Sequence, residues 1–379
     1  MHETRYDWLN DRWVIFAPNR EERPNEFKRY EKPQPAPNTV CPFCCGSEHE
    51  TPDPTLVLPE HDSDHTSTNR KVDPAKSIGN SWKVRVVPNK FPAIIRSSMG
   101  FEANFSSELR DRGIFPRHSV SGINGVKPQH QMQTVGADHL FQKHVAKGAH
   151  EVIIEAPTHV DSITALPADH IALIFQAYQQ RLNHWRAQSD LTYAVVFKNY
   201  GADAGASLYH SHSQLISLDF VPRDVERLNE RMDSYYKQFG CCYICQLFEE
   251  EEERQERVFY TSEHFIAVCP FASRFPYSFS IVPRTHRSCY EEITETELED
   301  LAIVAKATLT ALEATCPSAA YNLVLQTSPF RGGHEESQHW RLRVIPRLCK
   351  VAGFEWGSDC FINTVTPEQA ASSLRKHMD

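Results

Sequence analysis

The chain has 379 residues, room for two or three domains, and 40 % apolar with 23 % charged residues is ordinary globular composition. The net charge of −9 argues against a nucleic-acid surface. The mixed polar and charged opening from Met1 to Trp13, and the lack of any apolar run of spanning length, show no secretory or transmembrane segment, so the expectation is a cytoplasmic protein with no membrane partner.

In chain order the first signal is the C-x-x-C pair Cys41-Pro-Phe-Cys44; among 11 cysteines without an export signal, such a pair favours metal or redox work over a disulfide framework. Two stretches of loop composition follow, about Thr51 to Gly79 and Ser97 to Gln133. Glu151-Val-Ile-Ile-Glu-Ala-Pro-Thr-His159 reads as an apolar strand ending in a histidine, and Ile171, Ile174, Tyr178, Leu182 and Trp185 recur at helical spacing. Leu191 to Asn199 is rich in strand formers. After the small, flexible run Gly201 to Ser207 comes His210-Ser-His-Ser-Gln-Leu-Ile-Ser-Leu218, in which His210, His212 and Gln214 share one face if the segment is extended.

The same marks then return. A second pair, Cys242 and Cys245, precedes the acidic run Glu249 to Glu253, which reads as a solvated face. Tyr277 to His286 is again a strand ending in Thr-His, and Leu298, Leu301, Ala305, Leu309 and Leu312 form a helical stripe behind a capping box of Thr294 and Glu297. Tyr321 to Gln326 is a strand, and His339-Trp-Arg-Leu-Arg-Val-Ile345 closes the series. The histidines lie 210 − 159 = 51 residues apart in the first series and 339 − 286 = 53 in the second. From cysteine pair to Thr-His the distances are 159 − 44 = 115 and 286 − 245 = 41, so the first half carries an insertion. The expected fold is α+β, with two tandem halves at 1–225 and 226–379, each an antiparallel sheet covered by helices.

Two thiolates and two imidazoles suit tetrahedral Zn²⁺, and four protein ligands leave no open position, so both expected sites are structural. One is Cys41, Cys44, His159 and His210; the other is Cys242, Cys245, His286 and His339. A single C-x-x-C also fits a thioredoxin-like redox pair, and it is the recurrence with two histidines that favours metal. Such ligands accept several first-row metals, iron at one site included.

The halves differ two residues beyond the last ligand, where His212 is matched by Arg341, and two further on, where Gln214 is matched by Arg343. A neutral imidazole can attack phosphorus and leave again, so only the first half keeps a nucleophile. Gln214 can donate to a non-bridging phosphate oxygen, and amides of the Gly201–Ser207 run can approach phosphate, although a hairpin turn would have the same composition. The His210 carbonyl is expected to accept the ring N–H of His212 and so fix its tautomer.

Cys41-Pro-Phe-Cys44, Phe197-Lys-Asn199-Tyr-Gly201, Gly205-Ala-Ser207, His210-Ser-His212-Ser-Gln214 and Gly353-Phe-Glu-Trp-Gly357 together resemble the galactose-1-phosphate uridylyltransferase family of the histidine triad superfamily, from about Arg5 to Leu374. The resemblance implies two histidine-triad-like halves and a ping-pong transfer. His212 would take UMP from UDP-glucose, release glucose 1-phosphate, and pass the UMP to galactose 1-phosphate. It also implies that Arg20 and Arg23 bind nucleotide phosphates or the hexose phosphate, that Asn89 and Phe91 lie around the nucleoside, that Asn199, Ser207 and Gln214 hold the diphosphate, and that Phe197 and Gly205 belong to the nucleotide-binding set. Phe354 and Glu355 fall on the sugar-binding segment, which in the family the neighbouring subunit of a homodimer offers. Two positions depart from the usual pattern: Ser211 stands where His-Pro-His is common, and Lys90 stands where an acidic residue is usual. A plant relative with His-Ser-His transfers AMP from ADP-glucose to phosphate, so an ADP-glucose phosphorylase is the alternative. A hydrolase of the small histidine triad type is a third reading. A zinc-stabilised scaffold without turnover would have lost its nucleophile, as only the second half has.

Overall fold

The computed structural model describes residues 2–22, 40–59, 82–96, 146–317 and 319–378. In the first half the strands are β1 (Glu3–Asp7), β2 (Arg12–Phe16), β3 (Leu56–Pro59), β4 (Trp82–Pro88), β5 (Gly148–Ile154), β6 (Tyr193–Tyr200) and β7 (His212–Leu218), with helix α1 (Ala168–Arg186) between β5 and β6. Two helices follow, α2 (Arg223–Phe239) and α3 (Tyr243–Arg254). The second half then has β8 (Val258–Thr261), β9 (Phe265–Val268), β10 (Phe279–Pro283), α4 (Glu295–Thr315), β11 (Tyr321–Gln326) and β12 (Arg341–Pro346), and the chain closes with α5 (Gly353–Ser358), β13 (Phe361–Asn363) and α6 (Pro367–Arg375).

The two expected sheets are one. Ten strands run β3-β4-β5-β7-β6-β11-β12-β10-β9-β8, so each half contributes five in mirrored order and the halves join edge to edge at β6 and β11. The join is antiparallel, with Phe197 opposite Val324 and Asn199 opposite Asn322. The strand period of two sorts the residues of β7. Leu215 enters the core beneath α1, whereas His212 and Gln214 lie on the face away from that helix. α1 and α4 bury their stripes in a single core, Ile174 and Phe175 from one and Leu301 and Leu309 from the other. The capping box opens α4 as expected, Glu297 N–H donating to Thr294 Oγ1 (3.3 Å) and Thr294 N–H to Glu297 Oε2 (2.8 Å).

Three local expectations change. The stretch after Thr51 has loop composition, yet Leu56–Pro59 is the edge strand β3, where a terminal proline removes no donor that the ladder needs. Residues 60–81 and the Ser97–Gln133 stretch lie outside the described residues. Both histidine strands begin two residues later than expected, at His212 and Arg341, so His210 stands just before the strand and not on its face. The acidic run lies on α3 and is solvated except at Glu251, which turns inward to bind Arg257 at 2.9 Å. α2 starts at Arg223 and packs Leu228 and Met232 with Cys242, Ile244 and Val258 of the second half. β13 pairs parallel with β2 and so ties the end of the chain to its beginning. Among the described residues no helix is long and apolar enough to cross a membrane.

Candidate active site and metal groups

The eight expected ligands gather into two groups, Cys41, Cys44, His159 and His210, and Cys242, Cys245, His286 and His339. In each group the donor atoms all lie within 4.8 Å of one another. In the first, Nδ1 of His210 is 3.4 Å from Cys41 Sγ and 3.5 Å from Cys44 Sγ, and Nδ1 of His159 is 3.5 Å from Cys44 Sγ. In the second, Cys245 Sγ is 3.3 Å from Nδ1 of His286 and 3.5 Å from Nδ1 of His339. Zinc–ligand bonds of about 2.3 Å to sulfur and 2.0–2.1 Å to nitrogen at tetrahedral angles require sulfur and nitrogen roughly 3.6 Å apart, so both groups have the spacing of this metal. Backbone carbonyls orient three of the rings. His210 Nε2–H donates to Ala156 O (2.9 Å), His286 Nε2–H to Glu335 O (2.9 Å) and His339 Nε2–H to Pro283 O (3.0 Å), which leaves each Nδ1 lone pair facing the cysteines.

His212 is buried beside the first group, 2.7 Å through Nδ1 from the carbonyl oxygen of His210. A carbonyl can only accept, so Nδ1 carries the proton and Nε2 keeps its lone pair. Burial pushes the imidazole below its ordinary pKa, which favours this neutral form. The ring packs edge-on against Phe43, centroids 5.2 Å apart, so the loop that carries the cysteines also packs against His212.

Gln214 is oriented by a residue that sequence reasoning missed. His150 Nδ1 accepts from Ala93 N–H (3.2 Å), so its proton sits on Nε2, which donates to Gln214 Oε1 (2.8 Å). With its oxygen engaged, Gln214 has its amide N–H groups left to donate. Asn89 Nδ2 lies 3.1 Å from the same His150 nitrogen, and Asn89 Oδ1 accepts the N–H of Phe91, whose ring is 84 % exposed. Phe197 sits opposite Gln214 across the β6–β7 ladder. Across the join, Asn322 Nδ2 donates to Asn199 Oδ1 (2.9 Å) and to Ala204 O (2.8 Å), so the second half braces the glycine turn. Gly201 has φ +81° there, and a Cβ on it would meet Ala320 Cβ at 2.9 Å. Three of the run's amides are engaged within the turn: Ala204 and Ala206 donate to Gly201 O, and Gly205 donates to Ala202 O. Ser207 beyond them is exposed.

Beneath His212 lies a buried charge network. Lys198 Nζ donates to Glu155 Oε2 (2.6 Å), to Ser211 Oγ (2.8 Å) and to the carbonyl of His212 (3.2 Å), with Lys198 and Glu155 side chains 1 % and 0 % exposed. Ser211 Oγ–H (2.5 Å) and Ser213 Oγ–H donate to the same carboxylate. Burial alone would raise the Glu155 pKa, but the Lys198 ammonium and the hydroxyls outweigh it and hold the group below its ordinary value. Ser211 therefore has a structural reason: proline there would leave Lys198 and Glu155 each short of a partner.

Arg20 and Glu355 come together at a separate cavity of about 200 Å³ that none of the residues around His212 lines. Beside Glu355 on α5, Phe354 is 48 % exposed. Arg23 lies outside the described residues.

Residues 117–379 match a family described as a domain of unknown function (DUF4921). The chain is 32 % identical to an ADP-glucose phosphorylase of Arabidopsis thaliana over 99 % of its own length and 92 % of that protein's. It is 27 % identical to a galactose-1-phosphate uridylyltransferase of Thermotoga maritima over 99 % and 98 %. The crystal structure of an Arabidopsis thaliana ADP-glucose phosphorylase with bound ADP-glucose superposes with a TM-score of 0.74 at 29 % identity, covering 99 % of this chain and 98 % of that one. These likenesses run through both halves and the join between them, and the chain belongs to the galactose-1-phosphate uridylyltransferase family, as a nucleotidyltransferase.

Proposed function

We propose that the protein moves a nucleoside monophosphate from a nucleoside-diphosphate sugar to a second phosphate through a covalent bond to His212. The observation that carries this reading is the tautomer: the His210 carbonyl accepts a hydrogen bond from Nδ1–H, so Nε2 is the one basic nitrogen of a neutral, buried ring. Nε2 attacks the α-phosphorus, the bond to the bridging oxygen breaks, and a sugar 1-phosphate leaves. The N–H groups of Gln214 and Asn199 meet the charge that builds on the non-bridging oxygens. An oxygen of the acceptor phosphate then attacks the same phosphorus and frees the imidazole.

ADP-glucose as donor and inorganic phosphate as acceptor is the first choice of substrates. Ser211 locked to Lys198 and Glu155, together with the Arabidopsis relative, supports it over the uridylyl transfer expected from the sequence. UDP-glucose with galactose 1-phosphate remains the second choice, supported by the Thermotoga maritima relative. Each Cys2His2 group holds one structural zinc ion, which contributes folding energy and fixes the loop carrying Phe43. Arg20, Phe354 and Glu355 lie apart from His212 within one chain, which supports a homodimer in which they complete the partner's site.

The test is intact mass spectrometry under non-acidic conditions after incubation with ADP-glucose or UDP-glucose and no acceptor. An AMP adduct that His212→Ala abolishes is the expected result. A UMP adduct alone would move the second choice into first place, and no adduct from either would refute covalent transfer.

A further inference from the structure

The second half keeps a cavity where the first half has its site, and fills its floor with cations. Arg341 and Arg343 occupy the strand positions of His212 and Gln214, and with Arg274 they line a cavity of about 400 Å³. It adjoins one of about 210 Å³ that shares Arg274 and Arg343. Among the described residues none of the three guanidinium groups has a carboxylate partner. Arg341 donates only to the neutral Gln326 (3.0 Å), while Arg274 lies over the rings of Phe275 and Phe361.

Two nearby carboxylates are paired elsewhere, Glu250 and Glu251 from α3 with Arg254 and Arg257; Asp7, which accepts from the backbone and side chain of the neutral Asn10, is the one that faces the arginines. Burial and mutual repulsion bring Arg274 and Arg343 down to about 10, although Asp7 opposes the shift. Three cations faced by the single carboxylate of Asp7 leave net positive charge in a concave, partly desolvated site, which matches a diphosphate offering several anionic oxygens to planar, forked donors. Trp8 and Tyr243, stacked at 4.5 Å, line the same cavity and offer aromatic surface for a base. The volume is that of a small-molecule site.

We propose that the second half is a non-catalytic binding site for a nucleoside diphosphate, held through its diphosphate by Arg274, Arg341 and Arg343. The choice of a nucleoside among diphosphates rests on the nucleotide reading of the first half; the anion site itself does not. No transfer occurs there, because a guanidinium has no lone pair with which to attack phosphorus.

Equilibrium dialysis of the full chain with radiolabelled ADP, UDP and pyrophosphate tests this, with the His212 adduct scored in parallel. Wild type should bind two equivalents of ADP or UDP per chain, and Arg341→Met/Arg343→Met should bind one while still forming the adduct. One equivalent in wild type that forms the adduct would overturn the second site. One equivalent in wild type that forms no adduct would overturn it equally, unless that equivalent is lost in the double variant, which would place the site in the second half and count against the first-half reading alone. Mapping of phenylglyoxal labelling on wild type needs no variant: ADP at about ten times its Kd leaves roughly one site in ten open, so labelling of Arg341 and Arg343 should fall about tenfold. Labelling unchanged by ADP but suppressed by pyrophosphate would overturn the nucleoside assignment, and labelling unchanged by both would overturn the site.

Discussion

Glu155→Gln removes the negative charge from the network beneath His212 and keeps its shape. The Lys198 ammonium, 1 % exposed, is then left in the interior with only hydroxyl and carbonyl partners. Breaking a buried pair by removing one partner costs about 3–5 kcal/mol. Unfolding entropy of about 2.1 cal/mol/K per residue gives roughly 0.8 kcal/mol/K for 379 residues, so Tm should fall by about 4–6 °C. Glu155→Gln/Lys198→Met, which leaves no charge behind, should recover most of that loss. The pKa of Glu155 in the folded protein lies below its ordinary value, so its stabilisation is fully present above the unfolded value of about 4.3 and disappears as pH falls through the folded one. Glu155→Gln should therefore flatten the acid side of a plot of Tm against pH. Scanning calorimetry between about pH 3 and pH 8 measures both effects. A single variant within about 1 °C of wild type at neutral pH would refute the pairing, because an uncompensated buried ammonium cannot be that cheap.

His150→Phe deprives Gln214 Oε1 of its donor, and steady-state kinetics should show kcat down about tenfold, the rate equivalent of about 1.4 kcal/mol, with KM nearly unchanged. A change in KM alone would contradict the positioning role. Asn322→Ala frees both Asn199 and the glycine turn, so KM for the nucleotide sugar should rise about five- to twentyfold, for a loss of roughly 1–2 kcal/mol. Cys41→Ser and Cys242→Ser should each lower zinc measured by atomic absorption from two ions per chain to one. Only Cys41→Ser should also suppress the His212 adduct, since only that group shares a residue's backbone with the nucleophile.

What could be read in advance follows physical type. The stripes of α1 and α4, the paired cysteines and the spaced histidines are patterns of side chains along the chain, and these elements and groups form as expected. β3 was hidden because prolines at positions 52, 54 and 59 bracket an apolar run of only three residues, Leu56-Val-Leu58. The single sheet was hidden for another reason: β6 and β11 meet through backbone edges, which leave no mark on side-chain pattern. Glu155 and Lys198 did carry a signal, a charge inside each of two apolar strand runs, but only the fold brings residues 43 apart into contact. His150 gave none, since a polar residue near the start of a strand is unremarkable until its neighbour across the ladder is known.

The departure of the two halves from one another now has a physical sequence. His210 uses three of its atoms: Nδ1 faces the cysteines, Nε2–H donates to Ala156 O, and the carbonyl accepts from Nδ1–H of His212. His339 repeats the first two contacts, with Cys245 and Pro283 O. The third has lost its purpose, because the residue two positions on is Arg341, whose Nε turns to Gln326 instead. A group that fixes a loop and two strands cannot be dismantled without cost to the fold, whereas the side chain at the second position is constrained only by its chemistry. Retention of the metal group with loss of the histidine is therefore the order in which a duplicated half should change, and it leaves arginines at the floor of the second-half cavity.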